Sequence, residues 1–114
     1  MRLLGTKGED LAVEFLKRKG YRIISRNFRT PFGEIDIIAE DKRTIVFVEV
    51  KTRADSTFGR PFEAVDYRKR ERLRKVALFY LKHSGKDSPS RFDVLSIELD
   101  GGRNRVEHII DAFE

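Results

Sequence analysis

The chain has 114 residues, no cysteine, and a net charge of +5 at pH 7. A single domain of this size, 1–114, buries a core without covalent staples, and the absence of cysteine excludes disulfides, thiolate chemistry and Cys-based zinc sites. No apolar run is long enough for a membrane span and the N-terminus MRLLGTKGED lacks a signal-peptide core, so a soluble, cytoplasmic protein is expected.

A sequence pI near 9.7 favours an anionic partner. The basicity is local: residues 68–75 (RKRERLRK) carry six basic side chains against one acid, whereas from Glu98 onward five acids face two arginines. Charged residues make up 38% of the chain, glutamine is absent and Asn27 and Asn104 are the only asparagines. That composition is the one reported for hyperthermophile proteins, with arginine-biased codon usage as the alternative.

In chain order, Thr6-Lys7-Gly8-Glu9 fits the capping box S/T-x-x-E, and Leu11, Ala12, Phe15 and Leu16 follow at helical spacing. Lys17, Arg18 and Lys19 suit a helix C-terminus and Gly20 ends it, which predicts a first helix over about residues 7 to 19. Tyr21 to Phe28 reads as a strand leading to a polar loop at Arg29-Thr30-Pro31. Two apolar runs follow, Glu34 to Glu40 and Thr44 to Lys51, joined by a turn at Asp41-Lys42-Arg43. After a loop with Gly59, Pro61 opens a helical turn at Glu63-Ala64-Val65, and Asp66 caps a second segment running to about His83. Leu73, Val76, Ala77, Tyr80 and Leu81 form its apolar stripe, and Ser84-Gly85 terminates it. Phe92 to Leu99 alternates as a strand, Asp100-Gly101-Gly102-Arg103 is a hairpin turn, and Arg105 to Ile110 returns. The order is α-β-β-β-α-β-β. A helix between the third and fourth strands predicts a mixed sheet with a crossover, flanked by two helices.

Three charges interrupt the apolar hairpin: Asp36, Glu49 and Lys51. A buried, unpaired charge costs several kcal/mol, roughly, so each needs a partner or a purpose. Strand alternation puts Glu34, Asp36 and Ile38 on one face, and likewise Phe47, Glu49 and Lys51. A two-residue turn at Lys42-Arg43 sets Asp36 opposite Glu49 and Glu34 opposite Lys51, whereas a three-residue turn breaks that pairing. Two facing carboxylates with a lysine one step along look like half a site for a hard cation such as Mg²⁺.

Asp-x12-Glu-Val-Lys on adjacent strands resembles the PD-(D/E)XK motif of the restriction-endonuclease-like nuclease superfamily. The wider pattern GxxGED, GEIDIIAED, VFVEVKTR and FGRPFEAV followed by a basic helix resembles one bacterial branch, the YraN-like family, over roughly Gly5 to Leu81. It is also similar to the small archaeal Holliday-junction resolvases, which carry a helical glutamate before the Asp…Glu-x-Lys set. The proline of the motif's name is Ile35 here. The resemblance implies a restriction-endonuclease-like mixed sheet of about five strands and a metal-dependent, structure-selective DNA endonuclease. Asp36, Glu49 and Glu9 would hold Mg²⁺ or Mn²⁺, Lys51 would complete the catalytic set, and the resolvases act as dimers.

Each residue also has a plainer explanation. Glu9 can be a capping-box glutamate, and Lys51 a salt-bridged strand end. Arg53 and the head of the basic run, Arg68, Lys69 and Arg70, are candidate DNA contacts, although such a run is also what a solvated helix face looks like. Phe32, Phe58 and Phe62 read as local packing before base stacking or a dimer seam, for which they and Phe113 are the available apolar material. His83 and His108 lack ligand spacing and read as structural or exposed. The rival functions are a non-catalytic nucleic-acid-binding module and a protein-interaction scaffold.

Overall fold

The computed structural model describes residues 4–53, 66–100 and 103–114. Its elements are α1 (Leu4–Arg18), β1 (Arg22–Thr30), β2 (Gly33–Asp41), β3 (Thr44–Arg53), α2 (Tyr67–Ser84), β4 (Ser90–Asp100) and β5 (Arg103–Phe113). The expected turn at Glu63-Ala64-Val65, together with Phe58, Pro61, Phe62 and Gly101-Gly102, lies outside the described residues.

The five strands form one sheet in the order β1-β2-β3-β4-β5. Neighbours are antiparallel except β3 and β4, which run parallel with Glu49 beside Val94, so the connection carrying α2 crosses over the sheet. Alternation along β3 sends Ile45 and Phe47 to one face, beneath Leu73, Val76, Ala77 and Tyr80 of α2. Val46 and Val48 go to the other face, beneath Ala12 and Leu16 of α1. A central strand covered on both sides has no solvent face, hence its continuous apolar run. The result is the expected two-helix, five-stranded mixed sheet.

Some boundaries differ from expectation. Helix α1 begins at Leu4, so Thr6 lies inside it rather than capping it. Asp66 does cap α2, accepting the Lys69 N–H at 2.9 Å. Strand β5 continues past Ile110 to Phe113 through a register irregularity and a left-handed Asp111. Packing explains the extension: the Phe113 ring stacks on Phe92 with centroids 4.8 Å apart. Phe113 is therefore core rather than seam material. Among the described residues, no helix is long and apolar enough to cross a membrane.

Candidate active site

The β2–β3 ladder runs in register from Asp41–Thr44 to Ile37–Val48. This is the two-residue turn, with Lys42 left-handed at φ 58°. One step further would bring Asp36 against Glu49, but the regular pairing stops first. Alternation along β2 breaks here, because Ile35 packs beneath α2 and Ile37 beneath α1. Across the β1–β2 ladder, between the pairs Arg26–Ile37 and Phe28–Ile35, Asn27 sits at φ 53°. A local kink of this kind re-aims a side chain. Asp36 uses it to accept the Val50 N–H on Oδ2 at 2.8 Å, so a carboxylate takes over where the ladder ends. Burial, and then the charge of Glu49, push the Asp36 carboxyl up to about 7, against the opposing pull of the Val50 N–H.

Glu49 is 7% exposed. Its Oε1 lies 2.6 Å from Lys69 Nζ and 3.6 Å from Lys51 Nζ. Burial, and then Lys69, lower the Lys51 pKa. For Lys69 burial pulls downward too, but the close contact with Glu49 prevails and its pKa stays above the usual lysine value. Lys69, a candidate DNA contact, turns its Nζ to Glu49. The signal for this lies in helix phase: Lys69, Leu73, Val76 and Tyr80 fall at i, i+4, i+7 and i+11, one stripe.

Glu9 reaches the same corner from α1. A Cβ on Gly8 would fall 1.9 Å from Thr52 Oγ1, so the bare α-carbon is what lets α1 pass this close to β3. The next residue's carboxylate accepts from Arg26 Nε at 3.1 Å and Asn27 Nδ2 at 3.0 Å, and its charge is felt at Asp36. Glu9 is thus committed to β1 rather than to a helix cap. Among the described residues no three carboxylate or imidazole groups converge as a ready cation cage. Glu9 is turned to Arg26 and Asn27, and Glu49 to its two lysines. The donor chemistry nonetheless fits a hard divalent ion: oxygen donors only, two of them like-charged and mutually repelling, with ammonium groups now supplying the positive charge.

The remaining expectations separate. Glu34 pairs with Arg29 at 3.1 Å rather than with Lys51, because the hairpin has parted before reaching it. Arg53 ends β3 half-buried, Arg68 is exposed, and the Arg70 guanidinium lies 5.6 Å from the centre of the Phe113 ring. Helical twist thus distributes the basic run around α2 instead of massing it on one face. Phe32, expected to pack locally, is 50% exposed. His83 stacks on Phe79, and His108, whose Nδ1 accepts from Lys19, donates its Nε2–H to Asp93 Oδ2 at 2.7 Å. The sequence reading passed over Asp93, which is fully buried on the α1 face among Arg91, His108 and the Asp111 N–H.

The fold is a mixed five-stranded sheet with two flanking helices, and it carries a carboxylate–lysine cluster where its central hairpin parts. The chain belongs to the uncharacterised protein family UPF0102, whose model matches residues 8–97. A UPF0102 protein of Thermodesulfovibrio yellowstonii is 49% identical over 110 residues, covering 96% of this chain and 95% of its own. One from Geobacter metallireducens is 51% identical over 112 residues, covering 97% of this chain and 92% of its own. One from Persephonella marina is 49% identical over 111 residues, covering 96% and 92%. The span matched by the family model contains Gly8, Glu9, Asp36, Glu49, Lys51 and Lys69.

Proposed function

We propose that the domain is a divalent-metal-dependent, structure-selective DNA endonuclease. The observation that carries this reading is the Asp36–Glu49 pair. Neither carboxylate caps a helix, and burial with the charge of Glu49 raises the Asp36 pKa to about 7, so an ionised Asp36 weakens the fold. Asp36 and Glu49 would hold Mg²⁺ or Mn²⁺, with Glu9 joining them on release from Arg26 and Asn27. When bound, the ion would lower the pKa of a water and draw charge from the scissile phosphate. Lys51, 3.6 Å from Glu49, would neutralise the negative charge that builds on the phosphate oxygens. Lys69, displaced from Glu49, becomes free to do the same from α2. A domain this small offers little surface for reading base edges, so selectivity would rest on DNA shape: junctions, flaps or nicks. Paired incision of a two-fold symmetric junction needs two sites, hence two copies of the chain related by a two-fold axis.

A non-catalytic nucleic-acid binder is the second reading, favoured by the two lysines already neutralising Glu49. One assay separates them: cleavage of linear, nicked, flapped and four-way DNA with Mg²⁺ or Mn²⁺. The expected result is metal-dependent cutting of a branched or nicked substrate, reduced more than about 100-fold in Asp36→Ala and Lys51→Ala. A wild-type protein that binds these substrates and cuts none leaves the binder, and equal cutting by the variants would remove these residues from the chemistry.

A further inference from the structure

The tip of the β1–β2 hairpin displays an aromatic ring from a tied-down turn. Thr30 Oγ1 accepts the Phe32 N–H at 3.1 Å and donates to the Gly33 carbonyl at 3.1 Å. Gly33 takes φ 142°, a backbone conformation that side chains rarely adopt. Phe32 is thus held at the surface by a defined turn.

Two grooves meet at this ring. One, of about 250 Å³, is lined by Phe32, Glu34, Lys69 and Arg72, so it runs from the hairpin tip to the lysine that touches Glu49. The other, of about 440 Å³, is lined by Phe32, Lys75, Leu78, Phe79, Lys82 and His83. Within it Leu78 is 67% exposed, and the Phe79 and His83 rings stack with centroids 4.0 Å apart. Arg72, Lys75 and Lys82, at i, i+3 and i+10 of α2, set positive charge along the same track.

An apolar groove alone would suit many partners. Aromatic rings beside a row of cations, continuous with a phosphodiester-cleaving site, suit a polyanion whose repeating unit carries a flat apolar group. In a duplex those flat groups are stacked on one another; in an unpaired strand they are available to protein rings. We propose that Phe32, Phe79 and His83 form a stacking platform for the unpaired nucleotides of a branched or gapped DNA. Arg72, Lys75 and Lys82 contact its backbone and lead it to Lys69. This deepens the nuclease reading and rests on it.

The test is fluorescence anisotropy of the intact chain in EDTA, so that cleavage plays no part. The probes are a labelled oligothymidylate and a duplex of equal length, with inorganic polyphosphate as competitor. Phe32→Ala should weaken oligothymidylate binding about tenfold and leave duplex binding within about twofold. Lys75→Ala with Lys82→Ala should reduce the slope of log K against log salt by roughly 1.4 for the single strand. Melting curves establish that each variant is folded. Unchanged oligothymidylate affinity in Phe32→Ala overturns the platform and leaves the nuclease reading standing, as does polyphosphate competing as well as oligothymidylate. A wild-type chain that binds no polynucleotide overturns both. If Phe32→Ala instead converts a dimer to a monomer without changing single-strand affinity, the face belongs to a second copy of the chain.

Discussion

At the scale of single residues the site is a balance of charges in which Lys69 occupies the place beside Glu49 proposed for the metal ion. Its Nζ is 2.6 Å from Glu49 Oε1, inside the coordination space of that carboxylate. Lys69→Met should therefore tighten Mn²⁺ binding in the absence of DNA about tenfold, because an ammonium ion no longer has to leave. The same change should lower the melting temperature of the metal-free protein, since Glu49 and Asp36 would then repel with one counter-ion fewer. Titration by Mn²⁺ paramagnetic resonance checks the first effect and calorimetry the second; equal Mn²⁺ affinity in both proteins removes Lys69 from the ion's path. The nearness of Asp36 to Glu49 was legible in the sequence because a polar two-residue turn fixes the hairpin's register, which holds as far as Ile37–Val48. The kink at Asp36 was not. It depends on Asn27 adopting φ 53° in the neighbouring strand, which no periodicity reports. Lys69 was hidden differently, since in a run as uniformly basic as RKRERLRK only the phase of the apolar stripe tells which lysine turns inward.

At the scale of elements, α1 is held to the sheet through a contact that tolerates no side chain. Gly8→Ala would drive a methyl group into Thr52 and force α1 away from β3. Overpacking of this kind costs typically about 1–3 kcal/mol. Denaturant unfolding should show that loss, and the double variant with Thr52→Ala should recover part of it, because it removes both the Thr52 hydroxyl and the methyl that the new Cβ would meet. Thr6-Lys7-Gly8-Glu9 gave a correct helix with a wrong start. A capping box is a local pattern, but here the glutamate's hydrogen bonds go to Arg26 and Asn27 on β1, a tertiary demand that local pattern cannot express. The end of β5 eluded the sequence for a like reason: Asp111 interrupts the alternation, and the strand resumes through the pairing and stacking of Phe113 on Phe92.

At the scale of the whole molecule, the buried Asp93 network joins both halves of the chain. Asp93 receives Arg91 Nε at 3.0 Å and the Asp111 N–H at 3.0 Å, with His108 at 2.7 Å. Arg91 also reaches Tyr21 before β1 and Asp41 at the end of β2, and Lys19 closes on His108 from the end of α1. Burial would raise the Asp93 pKa, but the bonds from His108, the Asp111 N–H and Arg91 overcome it and hold the carboxyl below its ordinary value. A folded-state value below the unfolded one means that the stabilisation is present above about pH 4 and is lost as pH falls through the folded value. Asp93→Ala should cost about 3–5 kcal/mol at pH 7. Asp93→Asn, already weakened at pH 7, should lose less on further acidification to pH 2.5 than the wild type does, as read by melting temperature. The parallel pairing of β3 with β4 bears on the order of events in folding. Asp36 and Glu49 are brought together by a hairpin, a contact between near neighbours in sequence that forms early. Lys69 arrives only when the crossover has laid α2 on the sheet. The hairpin therefore brings Asp36 and Glu49 together with Lys51 alone beside Glu49, and the docking of α2 adds the second and closer ammonium, that of Lys69.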